Sequence, residues 1–161
     1  MNTQHFNKKK YIYTPLFCEE NIWHLCNTMY QLESYQQASV IFITNRQKSV
    51  AIFQQKSAPI NQAIIWDYHV ILKATIDHED FIFDFDSRLD FPCLLTRYKD
   101  LCLPDNIPEQ YQSVFREIPA DIYLQRFYSD RSHMQGIIDE DEFPLTPKIL
   151  SKHPDILLLK D

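Results

Sequence analysis

Three residue types that together perform acyl transfer occur here in a workable order: a cysteine at 18, a histidine at 69 and aspartates at 84 and 86. A thiol becomes a nucleophile when a base takes its proton, and an imidazole serves as that base when a carboxylate orients it. Cys18 opens the stretch CEENIWH (18–24). Ile22, Leu25, Cys26, Met29 and Leu32 then recur at three- and four-residue steps, one stripe of an amphipathic helix running from 18 to about 32. Cys18 is therefore expected near a helix N-terminus. Unpaired N–H groups and the positive dipole end favour a thiolate there, and those N–H groups can donate to an oxyanion. Glu19 and Glu20 discourage a thiolate, although acidic residues also stabilise a first helical turn. Taken alone, such a cysteine is more often a small buried hydrophobe.

The base would come from a hairpin. AIIWDYHVILKAT (63–75) reads as one long strand, nearly continuously apolar, and hence central and covered on both faces. DFIFDFD (80–86) alternates with period two. Cross-strand partners in a hairpin have a constant position sum. A turn centred between Ile76 and Asp77 sets His69 opposite Asp84; one centred between Asp77 and His78 sets it opposite Asp86. Either register brings imidazole and carboxylate together, with Cβ atoms about 4.5–5.5 Å apart. The carboxylate would fix the tautomer and favour the protonated ring, although a lone pair of this kind is commonly structural. The other histidines have no such partner: His5 and His153 fall in tails, His24 in the helix and His78 in the turn. Cys26 reads as core, and Cys93 and Cys102 flank a helical stretch with no histidine near.

Stretches 38–45 and 49–54 read as strands joined by a short polar turn. A short helix is expected over 91–103, opened by Pro92 in its first turn, and another over 108–115. Residues 116–120 read as extended and 120–134 as helix, while 1–10 should be flexible and 137–161 irregular. One helix, then strands, then helices describes an α+β fold with a mainly antiparallel sheet flanked by helices. The 161 residues suit a single catalytic domain, 1–161.

Composition removes whole classes. The single glycine, Gly136, excludes dinucleotide-binding and P-loop motifs, which cannot be written without glycines. The net charge of −6, with no basic block beyond 8–10, argues against nucleic-acid binding. The longest aliphatic run, ILLL at 156–159, is too short to span a membrane. The first residues make a poor signal peptide. The four cysteines lack metal-site spacing, so free thiols, no metal and a cytoplasmic location, with the nucleus open to it, are expected.

Four stretches together carry a family resemblance: CEENIW (18–23), IIWDYHVIL (64–72), FIFDFDSRLDFPC (81–93) and ADIYLQRFYSDRSHM (120–134). In this order they resemble the protein N-terminal glutamine amidohydrolase family, whose core is papain- and transglutaminase-like. The resemblance runs from about Tyr11 to Met134. It implies conversion of a protein's N-terminal glutamine to glutamate with release of ammonia, without a cofactor. The family's nucleophile matches Cys18, its base His69 and its aspartate Asp84. This choice of Asp84 favours the turn centred at 76–77 and makes Asp86 a diagonal second carboxylate. The family continues past DRSHM into a longer segment with a Trp-Gly pair. Here ILSKHPDILLLKD closes the chain with no such pair, so a wall of the substrate site or a peripheral strand is expected to be shortened.

The implied partners are proteins or peptides with a free N-terminal Gln, acted on by a monomer. A site that demands a free α-ammonium should offer acids near the thiol. Glu19, Glu20 and Asp67 are the available ones. Successive helical residues diverge by about 100°, so one glutamate at most lines the pocket, and Glu20 is preferred. Asp67 is expected on the His69 face of the strand, with Trp66 and Tyr68 facing the core. Asp130, Arg131 and His133 could brace the site or form a helix-end network. Competing readings keep the three residues but act on internal residues as a deamidase, transglutaminase or peptidase, or drop the chemistry and bind protein N-termini.

Overall fold

A computed structural model describes residues 6–32 and 36–127. Helix α1 (Cys18–Leu32) begins at the predicted residue. Strands β1 (Gln37–Thr44), β2 (Val50–Ile52), β3 (Ile64–Trp66), β4 (Tyr68–Ile76), β5 (Glu79–Phe83) and β6 (Cys93–Leu94) follow. Helix α2 (Leu95–Cys102), strand β7 (Val114–Pro119) and helix α3 (Ala120–Arg126) complete the described chain. Five strands form one sheet in the order β6-β5-β4-β1-β7, and β2 pairs with β3 in a small second sheet. Every pairing is antiparallel. The molecule is thus α+β with helices flanking an antiparallel sheet.

Strand β4 is central, as its apolar run requires, and its alternation feeds two cores. Val70, Leu72 and Ala74 join Ile22, Leu25, Cys26 and Met29 of α1 and Tyr123 of α3 on one side. Ile71 joins Ile41, Ile43, Val50 and Ile52 with Tyr98 and Cys102 of α2 on the other. The helical stripe predicted for α1 is the face it buries: Ile22, Leu25, Cys26 and Met29 are at most 2% exposed.

Several expectations are corrected. Strands β1 and β2 are joined by a polar turn but do not pair; they lie in separate sheets. The long strand over 63–75 is two strands broken at Asp67. Asp67 Oδ1 accepts the Tyr68 N–H at 2.9 Å and the Thr44 hydroxyl donates to the Asp67 carbonyl at 2.5 Å, a local side-chain turn that competes with the ladder. Pro92 does not open a helix. Residues Cys93 and Leu94 pair with Ile82 and Phe81 first, and α2 starts at Leu95. Over 108–115 only a 3-10 turn, Glu109–Tyr111, forms. Val114 and Phe115 instead extend the sheet, opposite Thr44 and Ile43. The segment expected to be flexible is seated on the body from Phe6 onward. Phe6 packs edge-on against Phe83 at 5.2 Å, and Lys8 Nζ donates to the Ser87 carbonyl at 2.9 Å. The expected helix over 120–134 is present as α3 up to Arg126. Extended Phe127 ends it sooner than expected, and 128–134, His5 and 137–161 lie outside the described residues.

The hairpin register is also corrected. Ile76 faces Glu79 and Leu72 faces Phe83, so the turn is centred between Asp77 and His78. Both turn residues have positive φ, 50° and 66°. That is the two-residue turn whose twist matches antiparallel strands, carried without glycine by two residue types that tolerate the left-handed region better than most. Glycine adopts this conformation at no steric cost. His78→Gly should therefore stabilise the fold by about 0.5–1 kcal/mol, read as a rise in the urea midpoint at unchanged slope.

Candidate active site

Cys18 is the first residue of α1, with its amide in the turn that has no intrahelical acceptor. The approach to it is held by Asn21, the last residue of CEEN. Its Oδ1 accepts the Thr14 N–H at 2.8 Å and its Nδ2 donates to the Thr14 carbonyl at 2.9 Å. Between them Leu16 sits at φ 69° while 54% exposed, so burial of its side chain offers little return for the left-handed backbone. The Asn21 clamp holds this conformation and fixes the entry into the helix.

His69 is on β4, 2% exposed, and its Nε2 lies 2.9 Å from Asp84 Oδ1. It also acts on the Cys18 thiol, whose ionisation it favours. With Nε2 engaged by Asp84, Nδ1 is the ring nitrogen left for the sulfur. Cys18, His69 and Asp84 are thus brought together in that order. The residue predicted as His69's partner is correct, and the geometry that delivers it is not. The β4–β5 ladder ends at Leu72 and Phe83, so Asp84 is not a cross-strand partner. It sits just past the strand, where the chain turns, and its Oδ1 accepts the Asp86 N–H at 2.9 Å.

Two residues that sequence spacing gave no reason to select complete this carboxylate. Tyr98 donates its hydroxyl to Asp84 Oδ2 at 2.7 Å, and Gln55 donates its amide N–H to the same oxygen at 3.1 Å. Both side chains are fully buried or nearly so. Trp66 stacks on the His69 ring at 6.0 Å and 11°. The hydroxyl of Tyr68 donates to Glu19 Oε1. Trp66 and Tyr68 both pack on a core, as expected. Tyr68 lies on the Val70 and Leu72 side of β4, whereas Trp66, across the break at Asp67, also stacks on His69 rather than facing away from it. Asp67, expected on the His69 face of a continuous strand, lies in the break outside both strands. It is exposed, with its carboxylate on the Tyr68 amide. Glu19 and Glu20 are 5% and 1% exposed. Glu19 is the one beside the thiol, whose ionisation its charge opposes. The stretch containing Asp130, Arg131 and His133 lies outside the described residues.

Burial pushes the Cys18 thiol up to about 11; His69 pulls it down, and Glu19 and Asp86 oppose that pull. Burial likewise disfavours the charged ring of His69, yet the Asp84 carboxylate and the thiol lift it well above the ordinary value. Asp84, despite burial, is held well below the usual carboxylate range by His69, Tyr98 and Gln55. The arrangement is a thiol beside an imidazole that could take its proton, with the imidazole held in one orientation by Asp84. Among the described residues, His69, Asp84 and Asp86 also offer ligand atoms within 4.8 Å of one another, a spacing a cation could use. The hydrogen bonds above already occupy His69 Nε2 and both Asp84 oxygens.

Because His69 lowers the thiol pKa, His69→Ala should raise it further. Alkylation of Cys18 by iodoacetamide near neutral pH should then slow at least about tenfold, one pKa unit being tenfold in thiolate. The rate in Cys18→Ala protein gives the background from Cys26, Cys93 and Cys102, which are buried.

Comparison with known proteins agrees with the geometry. A family model described as N-terminal glutamine amidase matches residues 13–154. The chain is 40% identical over 129 residues to the human protein N-terminal glutamine amidohydrolase, covering 77% of this chain and 63% of that protein. The zebrafish (Danio rerio) protein of the same name is 39% identical over 129 residues, covering 77% and 64%. The Arabidopsis thaliana one is 34% identical over 137 residues, covering 78% and 62%. The chain therefore spans a little under two thirds of the length of these relatives. Over the part it spans, the match extends through the segments that supply Cys18, His69 and Asp84, and the chain belongs to the N-terminal glutamine amidase family.

Proposed function

We propose that this chain hydrolyses the side-chain amide of an N-terminal glutamine in proteins or peptides, giving glutamate and ammonia. The observation that carries the reading is the buried His69–Asp84 pair at 2.9 Å, with Cys18 at a helix start under the influence of the same imidazole, in a chain of this family. The core is read as papain- and transglutaminase-like, with the nucleophile at a helix N-terminus and the base on the sheet.

His69 takes the thiol proton as Cys18 Sγ attacks the amide carbon of the glutamine side chain. The Cys18 amide, at the positive end of α1, donates to the oxyanion. The C–N bond then breaks, His69 returns its proton to the leaving nitrogen, and ammonia departs. The γ-glutamyl thioester that remains is hydrolysed by water that His69 deprotonates, and the proton returns to the thiol. Asp84 stays ionised throughout and holds the ring. These steps need no metal or organic cofactor.

A peptide beginning with Gln should gain one dalton on incubation with the enzyme, followed by mass spectrometry. Its acetylated counterpart should not, and Cys18→Ala should abolish the change. Activity surviving in Cys18→Ala would overturn the reading.

The pH dependence follows from His69. The reactive state has one proton shared between thiol and imidazole, so thiol plus imidazolium must lose a proton first. Activity should rise with pH through an apparent pKa belonging to the pair, above the ordinary histidine value of about 6.5. Asp84→Asn removes the charge that raises His69, so this limb should move to lower pH while kcat falls on the order of 10³–10⁴-fold.

A further inference from the structure

Resting on the amidohydrolase reading, we propose that Asp86 receives the α-ammonium of the substrate and so makes the enzyme selective for an N-terminal glutamine. An extended glutamine places its ammonium nitrogen roughly 5 Å from the amide carbon that the thiol attacks. The receptor must therefore be an acid close to His69 and Cys18 that an incoming peptide can reach.

The acids near the thiol separate on burial and on where their oxygens point. Asp84 is buried, and both its oxygens are spent on His69, Asp86, Gln55 and Tyr98. Glu19 and Glu20, in the first turn of α1, are only 5% and 1% exposed. Asp67 is exposed but is bound to the amide of Tyr68 at the β3–β4 break. Asp86 alone combines both requirements within this group. It is half-buried, and its carboxylate lies within 4.8 Å of a ring nitrogen of His69. Its charge acts on the Cys18 thiol as well.

Its surroundings fix it in place without filling it. Its backbone is pinned on both sides, the N–H on Asp84 Oδ1 and the carbonyl on the Lys56 N–H at 2.8 Å. Tyr13, which stacks on Phe85 at 5.7 Å, donates its hydroxyl to Asp86 Oδ1 at 2.6 Å. An ionised carboxylate accepts about four hydrogen bonds, so capacity for an ammonium remains. The two nearby lysines are directed elsewhere: Lys8 to the Ser87 carbonyl at 2.9 Å, and Lys56 over the Tyr13 ring at 5.0 Å. Tyr13 is 37% exposed, which leaves this corner open to a peptide end.

The test compares two peptides, one beginning with glutamine and one identical except that the α-amino group is replaced by hydrogen. The native chain should prefer the amine by at least about tenfold in kcat/KM, the range of a charge-assisted hydrogen bond. Asp86→Asn keeps the shape and the bond from Tyr13, and it should collapse that ratio toward one, with the loss on the amine peptide falling mainly in KM. Asp86→Glu, which restores the charge, should recover part of the preference. Iodoacetamide labelling of Cys18 in both variants confirms an intact pair. If Asp86→Asn keeps the native ratio, the assignment is wrong while the amidohydrolase reading stands. If the native chain turns over neither peptide, that reading fails and the assignment falls with it.

Discussion

The Asp84 carboxylate is the point on which the rest of the structure closes. A buried ionised carboxylate costs several kcal/mol unless it is paired and hydrogen-bonded. Here four donors meet it: His69 and the Asp86 amide on one oxygen, Tyr98 and Gln55 on the other. Those donors belong to β4, to the turn after β5, to α2 and to the segment after β2. One charge therefore ties together segments far apart in sequence. The Gln55–Ser87 bridge and the Arg88 N–H on the Gln54 carbonyl, at 2.8 Å, hold two of these segments side by side. An incomplete set of donors would leave a buried charge without compensation, so the fold of this face and the charge state of His69 are the same problem.

From that fixed carboxylate the chemistry is built outward. His69 is held by one nitrogen and stacked under Trp66, which leaves the other nitrogen for Cys18. Cys18 reaches it because α1 lies on the sheet through Ile22, Leu25 and Met29, which seat the helix axially. Asn21 then sets the chain's entry to the first turn. Burial works against a thiolate, so the helix start alone does not activate this cysteine. The neighbouring imidazole is what opposes burial.

What was legible in the sequence was whatever depends on local pattern. The apolar stripe gave α1 and its first residue, and the continuous apolar run gave the central strand. What was not legible depends on contacts between distant segments. The period-two rule could not locate the break at Asp67, because a side chain bonding its neighbour's amide interrupts the pattern without altering it. The break is also why Trp66 stacks on His69, against strict alternation. The register differs from the expected one because Asp84 is not on the ladder. Asp84 lies one residue past its end, where pairing rules no longer hold. Gln55 and Tyr98 reach Asp84 from 29 and 14 positions away, from segments whose sequence bears no mark of that meeting.

The placement of the acids also bears on how a thiol proposed as nucleophile tolerates so many of them. Each carboxylate near Cys18 raises the cost of a thiolate, yet they are not equivalent. Asp84 acts through His69, and its charge is matched by the imidazolium it stabilises. Glu19 is tied to the Tyr68 hydroxyl, and its backbone carbonyl accepts from Tyr123 at 2.8 Å, so it helps lock α1 to α3 and the strand. Asp86 remains the open one. If it receives the substrate's ammonium, binding neutralises a charge that opposes the thiolate. The nucleophile then becomes easier to ionise when a free N-terminus is present than when the site is empty. A peptide with a blocked amine would lose that assistance along with the contact. Selectivity for the terminal residue would then arise in the electrostatics of the attacking group as well as in binding.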